Sequence, residues 1–418
     1  MTLYWRPKLI LLLTFCFLLP SCNKVEHNTI MNKSAQEILG NSSYPAISYG
    51  GYRELTRDIE PTKDQIKEDI LILHASGYRV IRTYDVHLSL AENVLKVINN
   101  LKSLDDSFEM YVMLGAWITA ANPNTENVIH DIEDKEFNSF EIEETARLAR
   151  LYPDIVKIIA VGNEAMVHWA SGYFVTPDII LRWVNYLQDL KKSGQLAKDL
   201  WITSSDNFAA WGGGDPIYHT KELISLINAV DYISMHTYSF HDSYYNPSFW
   251  NYSNKSTTEI AKAEELVLKA KNYSKSQFLS VRDYLESIGI NKQVHIGETG
   301  WASLDNSFYG YEGTRAADEF KQYLYFNHMN DLCEELKISC FYFSAFDEPW
   351  KDPSSINGSE NHFGLFTVDG KAKYLMWDKV DKGLFKGLKR GDSKIVKTYE
   401  GNKDILIETI KNLSLIHI

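Results

Sequence analysis

The sequence predicts an α/β chain folded as a single-domain (β/α)8 TIM barrel, and three observations carry that expectation. Eight short runs rich in β-branched and aromatic residues lie between residues 45 and 350. Helical patterns separate them in steady alternation. No phosphate-binding glycine loop follows the first run, where an open nucleotide-binding sheet would more often carry one. Gly50-Gly51 lacks the required spacing, and Gly212-Gly213-Gly214 leads into Asp215-Pro216 with no lysine, so both read as turns.

In order, the strand runs are 46–51, 79–84, 110–116, 156–162, 200–205, 232–238, 294–297 and 340–346. Most lack polar alternation, as expected of parallel strands covered on both faces. The first helix, 62–75, opens after Pro61 and repeats apolar residues at Ile66, Ile70 and Leu73. Helices over 88–101, 139–151 and 177–192 follow, the last with Pro177 in its first turn and Thr176 as N-cap. Stretches 220–227, 258–271 with 276–287, and 315–336 complete the set. The longest interval between strands, 238 to 294, holds Tyr244-Tyr245-Asn246-Pro247-Ser248-Phe249-Trp250. Loops after barrel strands build the catalytic face, so this segment reads either as a cleft wall or as a cluster packed on the barrel.

Composition bounds the partners. The 418 residues include 43 Lys+Arg against 55 Asp+Glu, a formal charge of −12. Nucleic acid or an anionic membrane surface would call for clustered cations, so neither is expected. The 4 cysteines show no paired or Cys/His spacing, so no metal or other cofactor is expected, and Cys333 and Cys340 read as free thiols. The chain is expected to be a monomer.

The ends stand apart from the barrel. Arg6 and Lys8 precede an apolar run of 11 residues, 9–19, too short for a span that needs about 20. Leu19-Pro20-Ser21-Cys22 then resembles the lipobox of bacterial lipoproteins, which implies a signal peptide over 1–21 and a lipid on Cys22. The implied location is the bacterial cell envelope, on the periplasmic face of the outer membrane or the cell surface. An ordinary secretory signal is the alternative. Residues 22–45 read as a polar tether, 46–385 as the barrel domain and 386–412 as a C-terminal extension. Residues 413–418, Leu-Ser-Leu-Ile-His-Ile, resemble a translated sequencing adapter and are left out of the fold.

Polar residues gather at the strand C-termini, where barrel enzymes keep their chemistry. Strand four ends Val161-Gly162-Asn163-Glu164, and strand seven ends Ile296-Gly297-Glu298-Thr299-Gly300-Trp301. Strand two ends Arg82-Thr83-Tyr84-Asp85, strand six His236-Thr237-Tyr238, and strand eight Phe346-Asp347-Glu348-Pro349-Trp350-Lys351. A carboxylate beside a barrel axis is costly to bury without a partner. Glycoside hydrolysis gives two of them a purpose: one protonates the leaving oxygen, and the other attacks carbon or activates water.

With Ile81-Arg82-Thr83-Tyr84, Glu360-Asn361-His362-Phe363-Gly364-Leu365-Phe366 and Asp369-Gly370-Lys371-Ala372-Lys373-Tyr374, these motifs resemble the family 17 glycoside hydrolases from about residue 48 to 374. That family comprises retaining β-1,3-glucanases with catalytic glutamates on strands four and seven. The resemblance implies Glu298 as nucleophile and Glu164 as acid/base. It also implies Tyr238 as hydrogen-bond donor to Glu298, Asn163 as partner of the sugar 2-hydroxyl, and Glu348 with Lys351 as a charged pair near the site. Tyr84, Trp301 and Phe346 are supporting residues, the last two either stacking on sugar or capping the barrel mouth. Arg82 reads as a buried partner of a barrel carboxylate, and His168, His236 and His295 as packed or hydrogen-bonded. Ala302 and Ser344 depart from the family's habit. The implied activity is endo-hydrolysis of a neutral, laminarin-like β-1,3-glucan. Transglycosylation and non-catalytic glycan binding on the same barrel are the alternatives.

Overall fold

The computed structural model describes residues 1–2, 33–245, 258–305 and 316–410. Residues 3–21 of the expected signal peptide, Cys22, residues 246–250 of the aromatic loop and the 413–418 tail lie outside the described residues.

Eight parallel strands close into a barrel in chain order: β1 (Ala46–Ser48), β2 (Val80–Arg82), β3 (Tyr111–Ala116), β4 (Val156–Asn163), β5 (Trp201–Asn207), β6 (Ile233–His236), β7 (Val294–Thr299) and β8 (Cys340–Tyr342). Around them run α1 (Lys63–Ala75), α2 (Leu90–Leu104), α3 (Lys135–Leu151), α4 (Pro177–Lys192), α5 (Lys221–Ala229), α6 (Glu259–Ser287), α7 (Glu319–Leu336) and the short α8 (Trp377–Asp381). Each predicted strand and helix is present; the helix over 177–192 keeps its predicted ends and most of the others shift theirs. β8 stops early as a regular strand: Phe343 and Ala345 still donate to Thr299 of β7 and Ser48 of β1, but Ser344 between them turns its N–H to the Phe363 carbonyl. The stretches 258–271 and 276–287 are one helix, α6, of 29 residues. Weak helix formers lie between them, but Ser274 is buried and bonded to Ser239 and Tyr325, and these tertiary contacts carry the helix across. Thr176 does hold the N-cap position of α4, although its hydroxyl makes no capping bond.

Side chains alternate between two apolar layers. Ile47, Ile81, Val112, Leu114, Ile159 and Val161 face the helices. Ala46, Val80, Tyr111, Met113, Ile158, Ala160, Tyr232 and Phe341 fill the lower barrel interior, together with Ala35, Ile38 and Leu39. The expected tether is therefore corrected over its described part. Helix Ala35–Ile38, opened by a Ser34–Glu37 capping box, packs its two buried residues beneath the barrel. Four helical residues are too few to show a period, which is why the segment reads as structureless.

The C-terminal extension also packs on the barrel. Arg390, in the hairpin Lys389–Arg390 with Ser393–Lys394, reaches Asp69 of α1 at 2.9 Å, and both side chains are fully buried. Arg53 at 3.0 Å and the Tyr49 hydroxyl at 3.0 Å complete the shell of Asp69. Cys333 and Cys340 are free thiols. Among the described residues no helix is long and apolar enough to cross a membrane.

Candidate active site

Moving up the barrel, the inward positions turn from apolar to polar: Arg82, Ser205, Ser234, His236 and Glu298, all buried. Two one-residue bulges shape this upper layer. On β4 the ladder to β5 passes from Ala160↔Thr203 to Asn163↔Ser205, and on β7 the ladder from β6 passes from Met235↔Ile296 to His236↔Glu298. Bulges beside active sites re-aim side chains. Each bulge contains a glycine with a steric reason. Gly162 has φ +81°, and a Cβ there would meet Ala165 Cβ at 2.9 Å. A Cβ on Gly297 would stand 2.0 Å from Ser234 Oγ and 2.6 Å from Ser205 Oγ. Glu164 itself is left-handed at φ +46°, a strained position for a non-glycine residue.

Glu298 is gripped on both oxygens. Oε2 accepts from Arg82 Nη1 at 2.9 Å and from the Tyr84 hydroxyl at 2.7 Å, while Oε1 accepts from the Tyr238 hydroxyl at 2.5 Å. Burial raises its pKa, but His236, Arg82, Lys351 and the Tyr238 hydrogen bond together outweigh burial and hold it well below the usual carboxylate range. Burial, and then Glu298, push both tyrosines well above their ordinary pKa, so their hydroxyls remain donors. Arg82 is thus the carboxylate partner expected of it, and its Nη2 also donates to Asn163 Oδ1 at 2.6 Å.

Glu164 sits at the other end of a short chain. Arg82 Nη1 lies 3.2 Å from His236 Nε2, and His236 Nδ1 lies 3.0 Å from Glu164 Oε1. With Nδ1 protonated the ring donates to Glu164, and it is the charged ring that lowers the Glu298 pKa. Ser205 Oγ, 2.7 Å from Nε2, fixes the ring. His236 was legible as a hydrogen-bonded histidine but not as a link between the two carboxyl groups. Its place at the end of strand six, two residues before Tyr238, was the available signal.

Both glutamates line one cleft of about 1020 Å³, as do Tyr84, Asn163, Tyr238, Glu348 and Lys351. Trp117, Trp169, Tyr173, Tyr52 and Trp350 add aromatic wall, and Tyr245 is the described part of the expected aromatic loop that reaches it. Arg57, paired with Asp85 at 2.5 Å, lies 5.1 Å from the Tyr52 ring centre and 5.0 Å from that of Trp350. Lys351 approaches Glu348 at 3.8 Å and lies 4.0 Å from the Phe343 ring centre. Among the described residues, buried Glu348 Oε2 and Trp350 Nε1 have no hydrogen-bond partner.

Two expected site residues stand elsewhere. Trp301 is fully buried against Phe240 and Tyr325, and its indole N–H donates to the Ala316 carbonyl at 3.0 Å. Phe346 packs among Tyr49, Phe366 and Arg390. Neither lines the cleft, because each belongs to the layer between barrel and helices. Ser344 turns its hydroxyl to the Phe346 carbonyl at 2.8 Å.

Since Glu298 protonates only when pH drops through its lowered pKa, the acid limb of kcat/KM should lie well below 4.5, the ordinary glutamate value. A pH–rate profile checks this, with circular dichroism confirming the fold at each pH. A limb above that value would contradict the electrostatics described.

A closed barrel with two differently held glutamates at its C-terminal mouth defines a glycoside hydrolase. Residues 46–364 match the BtgE/BtgC glycoside hydrolase domain, a family of the glycoside hydrolase 17 type, and the chain belongs to it. An endo-laminarinase from Formosa, known as a crystal structure, is 55% identical with a TM-score of 0.89, covering 91% of this chain and 97% of that one. A curated glucan 1,3-beta-glucosidase from Arthroderma benhamiae is 28% identical over 240 residues, 55% of this chain. A putative glucan endo-1,3-beta-glucosidase from Aspergillus niger is 22% identical over 331 residues, 76% of this chain. The chain spans 64% and 40% of the lengths of these two. A β-1,3-glucanosyltransferase from Rhizomucor miehei, at 19% identity and TM-score 0.54 over 79% of this chain and 96% of that one, shares the fold.

Proposed function

We propose that the chain is an endo-acting, retaining β-1,3-glucanase that cleaves laminarin-like glucan by double displacement. The observation that carries this reading is the unequal treatment of two glutamates in one cleft: Glu298 is held ionised by Arg82 and two tyrosine hydroxyls, while the Glu164 carboxyl has, among the described residues, the His236 ring as its hydrogen-bond partner. Glu298 attacks the anomeric carbon as Glu164 gives its proton to the departing glycosidic oxygen. Glu164 then takes a proton from water, which displaces Glu298 and releases the sugar. Arg82 occupies Asn163 Oδ1, which leaves the Asn163 amide N–H groups for the sugar 2-hydroxyl. Glu348, Trp350 and Lys351 line the same cleft, where a bound glucan chain would run. The likeness to an endo-laminarinase supports the linkage and the endo mode, and the aromatic walls suit a neutral polysaccharide. A non-catalytic binding role has no need of so differentiated a pair of carboxyls. Proton NMR of laminarin digestion tests the reading: the first-formed reducing end should be the β-anomer on a series of oligosaccharides. A first-formed α-anomer would overturn retention, and glucose alone would overturn the endo mode.

The same reading includes a monomer tethered to the bacterial cell envelope through lipid on Cys22, facing the periplasm or the exterior. It rests on the basic start, the short apolar run and Leu19-Pro20-Ser21-Cys22. Cys22→Ser should move the protein from the membrane to the soluble fraction. Unchanged membrane retention would remove lipidation as its cause.

A further inference from the structure

One buried carboxyl beside the cleft has no part in the chemistry so far. Asp206, next after Ser205 on β5, is fully buried and does not line the cleft. Among the described residues no cation pairs with it; its partners are backbone N–H groups. Oδ2 accepts from Met166 at 2.7 Å and Oδ1 from Asn207 at 2.8 Å, with the N–H of Ala165 also turned toward it.

Ala165 and Met166 are the two residues after Glu164. The N–H of Glu164 is itself held by the Ser205 carbonyl at 2.9 Å, and the Ala165 carbonyl accepts from Val175 at 2.7 Å. Consecutive residues of β5 therefore bracket the left-handed Glu164, Ser205 from before and Asp206 from after. A non-glycine residue in that region is strained and persists only where its surroundings over-determine it. Without an acceptor beyond Glu164, the chain would relax and swing its carboxyl away from His236.

We propose that Asp206 is a positioning residue for the acid step: it fixes the backbone after Glu164 so that the Glu164 carboxyl meets the glycosidic oxygen of the departing sugar, and it touches no substrate. This rests on the reading of Glu164 as the acid/base. Burial above all pushes the Asp206 acid well above its ordinary range, with the Glu164 carboxyl nearby adding to the rise. Asp206→Asn keeps the size and shape of the group, and what it removes is one acceptor.

The test compares two substrates. Laminari-oligosaccharides depart as sugar alkoxides and need the proton; a dinitrophenyl β-laminaribioside departs as a stable phenolate and does not. General acid catalysis supplies about 10²–10⁴-fold, so Asp206→Asn should lower kcat/KM on the oligosaccharide by about tenfold or more while the aryl glycoside stays within about twofold. Retained aryl activity also certifies a folded site with a working Glu298, and Asp206→Glu, which restores an acceptor pair, should recover part of the lost rate. Glu164→Ala is run beside it. If that variant spares the aryl substrate but Asp206→Asn loses both substrates alike, or neither, the positioning role falls alone. If Glu164→Ala loses both alike, the acid assignment falls and takes the positioning role with it.

Discussion

Glu298→Gln should lower kcat on laminarin by on the order of 10⁴-fold or more while leaving the protein folded. The amide cannot form the covalent glycosyl-enzyme, since its nitrogen and carbonyl oxygen are too poor as nucleophiles. The fold should survive because Arg82 keeps Asn163 Oδ1 at 2.6 Å and the Gly297 carbonyl at 2.7 Å when the carboxylate is gone. Reducing-end release measures the loss, and near-ultraviolet circular dichroism with a cooperative thermal transition measures the fold. Turnover within tenfold of the parent would remove Glu298 as nucleophile. Addition of azide should not restore a retained product from this variant, because no enzyme-bound intermediate exists to intercept.

The second large effect is on stability, far from the cleft. Asp69→Ala should destabilise the protein by about 3–5 kcal/mol, since it leaves the guanidinium of Arg390 buried without its anion and takes one from Arg53 as well. Urea unfolding followed by tryptophan fluorescence measures this. Arg390→Met should cost less than Asp69→Ala, because Asp69 then keeps Arg53 and the Tyr49 hydroxyl. A loss below about 1 kcal/mol for Asp69→Ala would place the pair among those that contribute little net stability.

Much of this was legible in the sequence because barrel strands and catalytic groups are local signals. The eight runs needed only β-branched composition and the turns between them. Glu164 and Glu298 stood out because a carboxylate ended an otherwise apolar strand. Arg82 was recognisable as an ion-pair partner on the same reasoning. What stayed hidden depends on contacts far apart in the chain. Asp206 reads as ordinary polar strand-end material until Met166 is seen beside it, 40 residues earlier. Trp301 and Phe346 are aromatic and flank catalytic motifs, yet which face of the chain they occupy is set by irregular backbone after β7 and β8. Ala35–Ile38 is too short for periodicity, and its burial depends on the hole left at the base of the barrel.

The bulges at Gly162 and Gly297 place the catalysis on a matter of parity. Along β7, Ile296 faces the helices, and strict alternation would send Glu298 the same way, into the apolar layer. The extra residue resets the count, so the nucleophile comes round to Arg82 instead. A substitution at Gly297 crowds the site, and a strand that kept this residue but lost the bulge would turn Glu298 and everything after it from inside to outside. Side chains around the mouth can therefore change more freely than the two glycines that let each strand hold its extra residue without turning its glutamate outward.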